Sequence, residues 1–130
     1  MTLSIRKYAL AAGTFATLAL MGFDASAVTI RVTCEVRPDR SKISVDGKNV
    51  PGGRYTTVAV SGSNMATSRP TAAVRGEIET DYDSDPGDIR QGATPIPSTF
   101  ITGGSVTGKI VDANGNTVIA DTVACRVRNH

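Results

Sequence analysis

Hydrophobic and polar residues alternate strictly from Val28 to Arg37. Valine, isoleucine and cysteine occupy the even positions, and threonine, arginine and glutamate occupy the odd positions. Such a period of two is typical of a half-buried β-strand, because successive side chains of a strand point to opposite sides of its sheet. The pattern therefore predicts a strand over residues 28–37 with one face towards a core.

Shorter alternating segments follow, separated by turn residues. We expect Pro38-Asp39 to end the first strand, and a second strand to run from Lys42 to Asp46. The dipeptide Asp46-Gly47 is typical of a turn and is expected to close that strand. A third strand is predicted from Tyr55 to Ser61, and a polar loop over residues 62–71.

The clearest alternation after the first strand covers residues 72–83. Its even positions, which include Val74, Ile78 and Tyr82, are predicted to face the core. Its odd positions are expected to form an exposed acidic face, since they include Glu77, Glu79, Asp81 and Asp83. The segment is therefore predicted to be one long strand with an acidic outer side.

Loops and strands alternate again in the last third of the chain. Residues 84–98 contain Asp85-Pro86-Gly87-Asp88 and two further prolines, and predict a long loop that is either functional or a crossover. Strand character returns at Phe100-Ile101 and at 106–112, and a final hairpin is expected to return through 117–128. No segment has helical apolar spacing. The fold prediction is an all-β sandwich of about seven strands, for which an immunoglobulin-like arrangement is one candidate and the resemblance described below gives a transthyretin-like one.

The N-terminal segment has the three parts of a secretory signal. Arg6 and Lys7 precede a 16-residue uncharged, largely apolar run, and the small residues Ala25-Ser26-Ala27 follow it. The run is shorter than the roughly 20 residues that cross a bilayer as a helix. We expect residues 1–27 to be a cleaved signal peptide, with an uncleaved membrane anchor as the alternative. The domain is then 28–130, exported to the periplasm or the extracellular space without a further membrane span.

Charge and cysteine content narrow the possible environments. Without the predicted signal peptide, 12 basic and 11 acidic residues remain, a balance that gives no reason to expect nucleic acid as a partner. Cys34 and Cys125 are expected to form one disulfide in an oxidising compartment. A free thiol pair and an intermolecular bridge are the alternatives.

Six carboxylates within residues 77–88 are the most suggestive cluster. Four of them are candidate ligands for calcium, which prefers oxygen donors: Asp81, Asp83, Asp85 and Asp88. The alternative is a solvated strand face that runs into a turn, where aspartate bonds to its own backbone. A glycosidase pair is disfavoured, because neighbouring carboxylates on one exposed face lack the contrasting environments that separate their pKa values.

Catalysis by histidine has little support in the sequence. His130 is the only histidine and also the last residue. Serine or cysteine triads and ordinary zinc sites need at least one well-placed histidine. We therefore predict that the protein is not an enzyme and needs no cofactor other than the calcium considered above.

One segment suggests a family. The 19 residues Val106–Ala124, VTGKIVDANGNTVIADTVA, resemble the opening hairpin of carboxypeptidase regulatory-like, transthyretin-type β-sandwich modules. Such modules are non-catalytic accessory domains, so the resemblance implies a sandwich without catalytic residues. In that family the hairpin opens the domain, whereas here it lies near the C-terminus, and no functional residue is carried over.

These observations favour a non-catalytic binding or interaction module of the cell envelope, secreted or periplasmic. Its contact surface is predicted to be the 84–98 loop with the adjacent acidic strand, including Glu77, Glu79 and Arg90, and its partner a protein or a polysaccharide. The alternative is a structural subunit of a surface or extracellular assembly, a calcium-dependent one included. That alternative rests on threonine-rich strands and on a charge pattern that could guide self-association: a basic first third and an acidic middle.

Overall fold

The computed structural model describes residues 27–129, which form ten strands and one short helix. Residues 1–26 of the predicted signal peptide lie outside the described residues, as does His130. Within the described part of the chain, no helix has the length and apolar character needed to cross a membrane.

Seven strands have at least four residues, and three have only two. The three two-residue strands account for the difference from the predicted number of about seven. The elements are β1 (Thr29–Arg37), β2 (Arg40–Lys48), β3 (Arg54–Ser61), β4 (Asn64–Thr67), β5 (Thr71–Ala72), β6 (Ile78–Asp83), α1 (Pro86–Arg90), β7 (Thr94–Pro95), β8 (Ser105–Asp112), β9 (Thr117–Ala124) and β10 (Arg126–Val127).

The strands form two sheets that enclose one core. The first sheet has the order β10-β1-β2-β6-β7, and the second has the order β4-β3-β8-β9, with β5 paired to β3. The pairs β1–β10 and β6–β7 are parallel, and the other pairs are antiparallel. The predicted all-β, sandwich-like architecture is therefore confirmed.

The core is built from inward side chains of both sheets, and the sheets approach closely at Gly108 on β8. A Cβ at this glycine would lie 2.6 Å from a methyl carbon of Val32 and 3.0 Å from one of Val45. Tyr82 faces inward as predicted. The buried apolar residues are Val32, Cys34, Ile43, Val45, Val50, Tyr55, Ala59, Ile78, Tyr82, Ile96, Phe100, Ile101, Val106 and Ile110.

The predicted turn at Asp46-Gly47 is wrong. β2 continues through Gly47, which pairs with Ile30 on one side and with Ile78 on the other. A Cβ on this glycine would lie 2.5 Å from the Cδ1 atom of Ile110. The glycine therefore allows close packing between the sheets, and it does not reverse the chain.

The predicted strand over residues 72–83 is also too long, because a tight turn interrupts it. Val74 and Glu77 exchange two backbone hydrogen bonds of 3.0 Å, and Arg75 and Gly76 between them have φ of 54° and 77°. Positive φ at both central residues is the hairpin geometry that matches strand twist. β6 therefore begins at Ile78, and Val74 is 66% exposed rather than in the core.

The predicted loops contain short elements. β4 and the first residue of β5 lie within residues 62–71, and α1 and β7 lie within 84–98. Phe100 and Ile101 are buried but do not form a strand. Periodicity alone cannot reveal two- to five-residue elements, because it needs several repeats to be visible.

A disulfide between Cys34 and Cys125 joins the two ends of the domain, as predicted. Cys34 lies on β1 of the first sheet, and Cys125 lies directly after β9 of the second sheet. Both cysteines of the chain are therefore bonded to each other. In the chain-entropy description, closing a loop with a sequence separation of 91 residues stabilises the fold by about 4 to 5 kcal/mol.

Candidate interaction surfaces

A buried ion pair attaches the acidic segment to the start of β2. Arg40 donates two hydrogen bonds to the Asp83 carboxylate, at 2.9 and 2.7 Å, and one to Asp88 at 2.7 Å. Asp83 is 1% exposed. Burial raises its pKa, but the hydrogen bonds from Arg40 and the Asp85 N–H outweigh burial and lower it to about 2. The neighbouring Asp83 carboxylate raises the pKa of Asp88.

Asp83 therefore does not belong to an exposed acidic face, and that prediction is wrong. β7 and α1 follow β6 directly, and β7 pairs with the end of β6 at Asp83 itself. This covering removes the carboxylate from water, and Arg40 provides the charge that compensates for it. The sequence offered no pattern for this contact, because the two residues are 43 positions apart.

The other predicted calcium ligands also have partners within the protein. Asp81 accepts a hydrogen bond of 2.6 Å from the Ser44 hydroxyl, and Asp85 caps α1 by accepting the Asp88 N–H at 3.1 Å. Across residues 27–129, no three or more His, Cys, Asp or Glu side chains are grouped so that they could hold a metal ion. The calcium site therefore stays a prediction, and the arrangement of these four carboxylates does not favour it.

Two clefts border the predicted acidic contact surface. The larger, of about 990 Å³, lies between residues 67–71 and 88–95, and both Glu79 and Arg90 line it. The smaller, of about 380 Å³, is lined by Glu77 and again by Glu79. The three predicted contact residues are thus distributed over two clefts that share Glu79, and the larger cleft mixes acidic and basic side chains.

The outer side of the first sheet is a charged face that contains both opposite-charge and like-charge neighbours across the strands. Arg31 pairs with Asp46, which in turn pairs with Glu79. Partial burial, together with Asp81 and Glu79, raises the pKa of Asp46. Seven of the ten outward residues are charged; the ten are Thr29, Arg31, Thr33, Glu35, Lys42, Ser44, Asp46, Lys48, Glu79 and Asp81.

The outer side of the second sheet carries almost no charge. Val60 lies between Met65 on β4 and Thr107 on β8, and Met65 is 70% exposed. Two outward residues of these strands are charged: Lys109 on β8, and Arg54 at the exposed start of β3. We call the following twelve outward residues, which Arg54 borders, the Thr/Val face: Thr56, Val58, Val60, Met65, Thr67, Ser105, Thr107, Lys109, Val111, Ala120, Thr122 and Ala124.

The two lateral sides of the sandwich differ in how their edges are protected. One side ends in the four-residue β4 and in the two-residue β7, which contains Pro95. Short strands and proline are common means of preventing unwanted strand pairing. The other side ends in the two-residue β10 and in β9, which has eight residues, no Lys, Arg or Pro, and a single charge at Asp121. Among the described residues, no strand pairs with the outer edge of β9.

Comparison with protein-family models, curated proteins and solved structures finds no match for this chain. Any functional conclusion therefore rests on the chain's own surfaces. Sequence reasoning noted the threonine-rich strands but missed the Thr/Val face, because its four strands are adjacent only after folding. The signal was present in the outward positions of β3 and β8, where valine and threonine are more frequent than charged residues.

Proposed function

We propose that this chain is an exported, non-catalytic interaction module that binds a protein of the cell envelope through the Thr/Val face. One observation carries the proposal: one of the twelve residues of this face is charged, with Arg54 at its border, against seven of ten on the charged face. Contiguous apolar patches on the surface of a small domain mark interaction sites, and six of the twelve residues of this face are valine, methionine or alanine. The cores of protein interfaces are similarly depleted of charge.

The chemistry of the face favours a protein partner over a polysaccharide. The Thr/Val face contains no aromatic residue, and Lys109 alone could pair with an anionic sugar. Valine, alanine and methionine side chains lose little on dehydration, because they carry no groups that need water. The threonine hydroxyls add positions for hydrogen bonds to a partner.

Strand order and the disulfide support the rest of the proposal. β2 lies between β1 and β6, while β3 and β8 are central in the second sheet. This arrangement supports the immunoglobulin-like alternative, in which the first, second and fifth main strands share a sheet. The disulfide is compatible with export to an oxidising compartment, which the N-terminal sequence predicts.

Side-chain labelling in intact cells tests the proposed surface. Met65 is the only methionine within residues 27–129, and Glu79 lies on the charged face. Oxidation of Met65 and carboxyl labelling of Glu79 are measured by mass spectrometry, in cells and in the purified protein. We expect Met65 to be protected in cells, because the partner covers it, while Glu79 reacts equally in both. Equal reactivity of Met65 in the two samples would refute the proposal.

The larger of the two clefts is the second candidate contact surface, since the predicted residues Glu79 and Arg90 both line it. The same labelling distinguishes it from the Thr/Val face. Protection of Glu79 in cells, with Met65 still reactive, would assign binding to the cleft.

A further inference from the structure

We propose that two copies of this chain pair through β9, antiparallel and about a two-fold axis, so that their second sheets become one continuous sheet. The outer edge of β9 is long and nearly uncharged, and none of the described strands pairs with it. Such an edge presents unpaired backbone groups to any strand that can align with it. A second copy of β9 offers the same unpaired groups.

The β8–β9 ladder determines which backbone groups of β9 point outward. Cys125 N–H donates to the Gly104 carbonyl at 2.8 Å, and Ser105 lies opposite Ala124 in the same register. Because bonded and non-bonded residues alternate in an antiparallel ladder, the odd-numbered residues of β9 bond to β8. The even-numbered residues therefore direct their N–H and C=O groups to the open edge: Ala120, Thr122 and Ala124.

The sequence of β9 favours one register. With the two-fold axis at Thr122, this residue faces its symmetry mate and Ala120 faces Ala124, which gives about six backbone hydrogen bonds. An axis at Asp121 would place two carboxylates directly opposite each other, which is destabilising. An axis at Ala120 would use residues near Thr117, where the β8–β9 register shifts.

Charge and continuity support a second copy as the occupant. Residues 27–129 carry 12 basic and 11 acidic residues, so that two copies have little net repulsion. Ala120, Thr122 and Ala124 also belong to the Thr/Val face. Pairing at β9 therefore joins two such faces into one surface of twice the width, and leaves both accessible.

Cysteine substitutions at two neighbouring threonines test the register. Thr122→Cys places a thiol on the two-fold axis, where the Cα separation of a bonded antiparallel pair, about 5.5 Å, suits a disulfide. Thr107→Cys is the matched control, because Thr107 lies beside Thr122 on β8, with hydroxyl oxygens 2.6 Å apart, but one strand away from the edge. We expect a covalent dimer from Thr122→Cys under mild oxidation and none from Thr107→Cys. No covalent dimer from Thr122→Cys, or equal dimer from both, would overturn the proposal.

Sedimentation velocity of the exported protein tests the pairing without a cross-link. The wild type is expected to shift from monomer to dimer between micromolar and millimolar concentration. Thr122→Pro should remove the dimer, since it deletes an outward N–H and leaves the bonds from odd-numbered residues to β8. A wild type that stays monomeric, or a dimer that survives Thr122→Pro, would contradict pairing through β9. The labelling of Met65 in cells tests partner binding independently of this dimer, because pairing through β9 leaves the Thr/Val face open.

Discussion

Replacing Asp83 by asparagine should destabilise the domain by about 2 to 3 kcal/mol at neutral pH. The carboxylate is buried and accepts two hydrogen bonds from Arg40. Its pKa is lowered from 3.8 to about 2, and a difference of this size corresponds to about 2 kcal/mol of stability. Asparagine keeps the shape, but it places an amide N–H₂ group near a guanidinium that can only donate, which adds to the loss.

The sign of the pH dependence follows from the lowered pKa. The contribution of Asp83 is fully present above its unfolded pKa, near 3.8, and is lost as the pH falls towards the folded value of about 2. Wild type and Asp83→Asn should therefore differ most near neutral pH, and the difference should shrink from about pH 5 downwards.

Urea unfolding followed by far-ultraviolet circular dichroism is a suitable assay, because the chain has no tryptophan. Asp81→Asn is the matched control, since Asp81 lies two residues away on the same strand but is exposed and bonded only to Ser44. We expect the control to change the free energy of unfolding by less than about 0.5 kcal/mol. Equal effects of the two substitutions, or a difference that grows as the pH falls, would refute the assignment of a buried ion pair.

Three further predictions follow from packing, the disulfide and the acidic segment. Gly108→Ala should cost about 1 to 3 kcal/mol in urea unfolding, because its Cβ meets Val32 and Val45, whereas Gly52→Ala, with no atom within 4 Å, should cost little. Reduction of the disulfide should lower the free energy of unfolding by about 4 to 5 kcal/mol, and an unchanged value would contradict its stabilising role. Millimolar calcium should leave the thermal midpoint unchanged, since Arg40 holds Asp83 and Asp88; a raised midpoint would show that these carboxylates exchange partners for the metal.

Local alternation predicted the strands well where one face is buried and the other solvated. The strand around Val32 and Cys34 is the best example, and the inward position of Tyr82 was also correct. The disulfide could be predicted from two cysteines in a chain whose N-terminal sequence predicts export. These features depend on neighbouring residues or on composition, which the sequence displays directly.

Contacts between distant segments were not visible in the sequence. Gly47 was interpreted as a turn residue because the reason for a glycine there, close packing against Ile110 of the other sheet, arises only in the folded chain. Asp83 resembled a surface acid because Arg40 and β7 reach it only in the folded chain. The Thr/Val face escaped notice for the same reason, since Met65 and Thr122 lie on strands at opposite edges of the second sheet.

The central claim is that the Thr/Val face is the surface that meets a partner, and a pair of charge substitutions tests it most directly. Thr67→Lys adds a charge to this face, and Thr33→Lys adds the same charge at an exposed threonine of the charged face. The measurement is the oxidation of Met65 in intact cells for wild type and both variants. We predict that Thr67→Lys raises Met65 oxidation in cells to the level seen in the purified protein. Thr33→Lys should leave Met65 oxidation in cells at the wild-type level. Equal Met65 oxidation in the two variants would contradict the account.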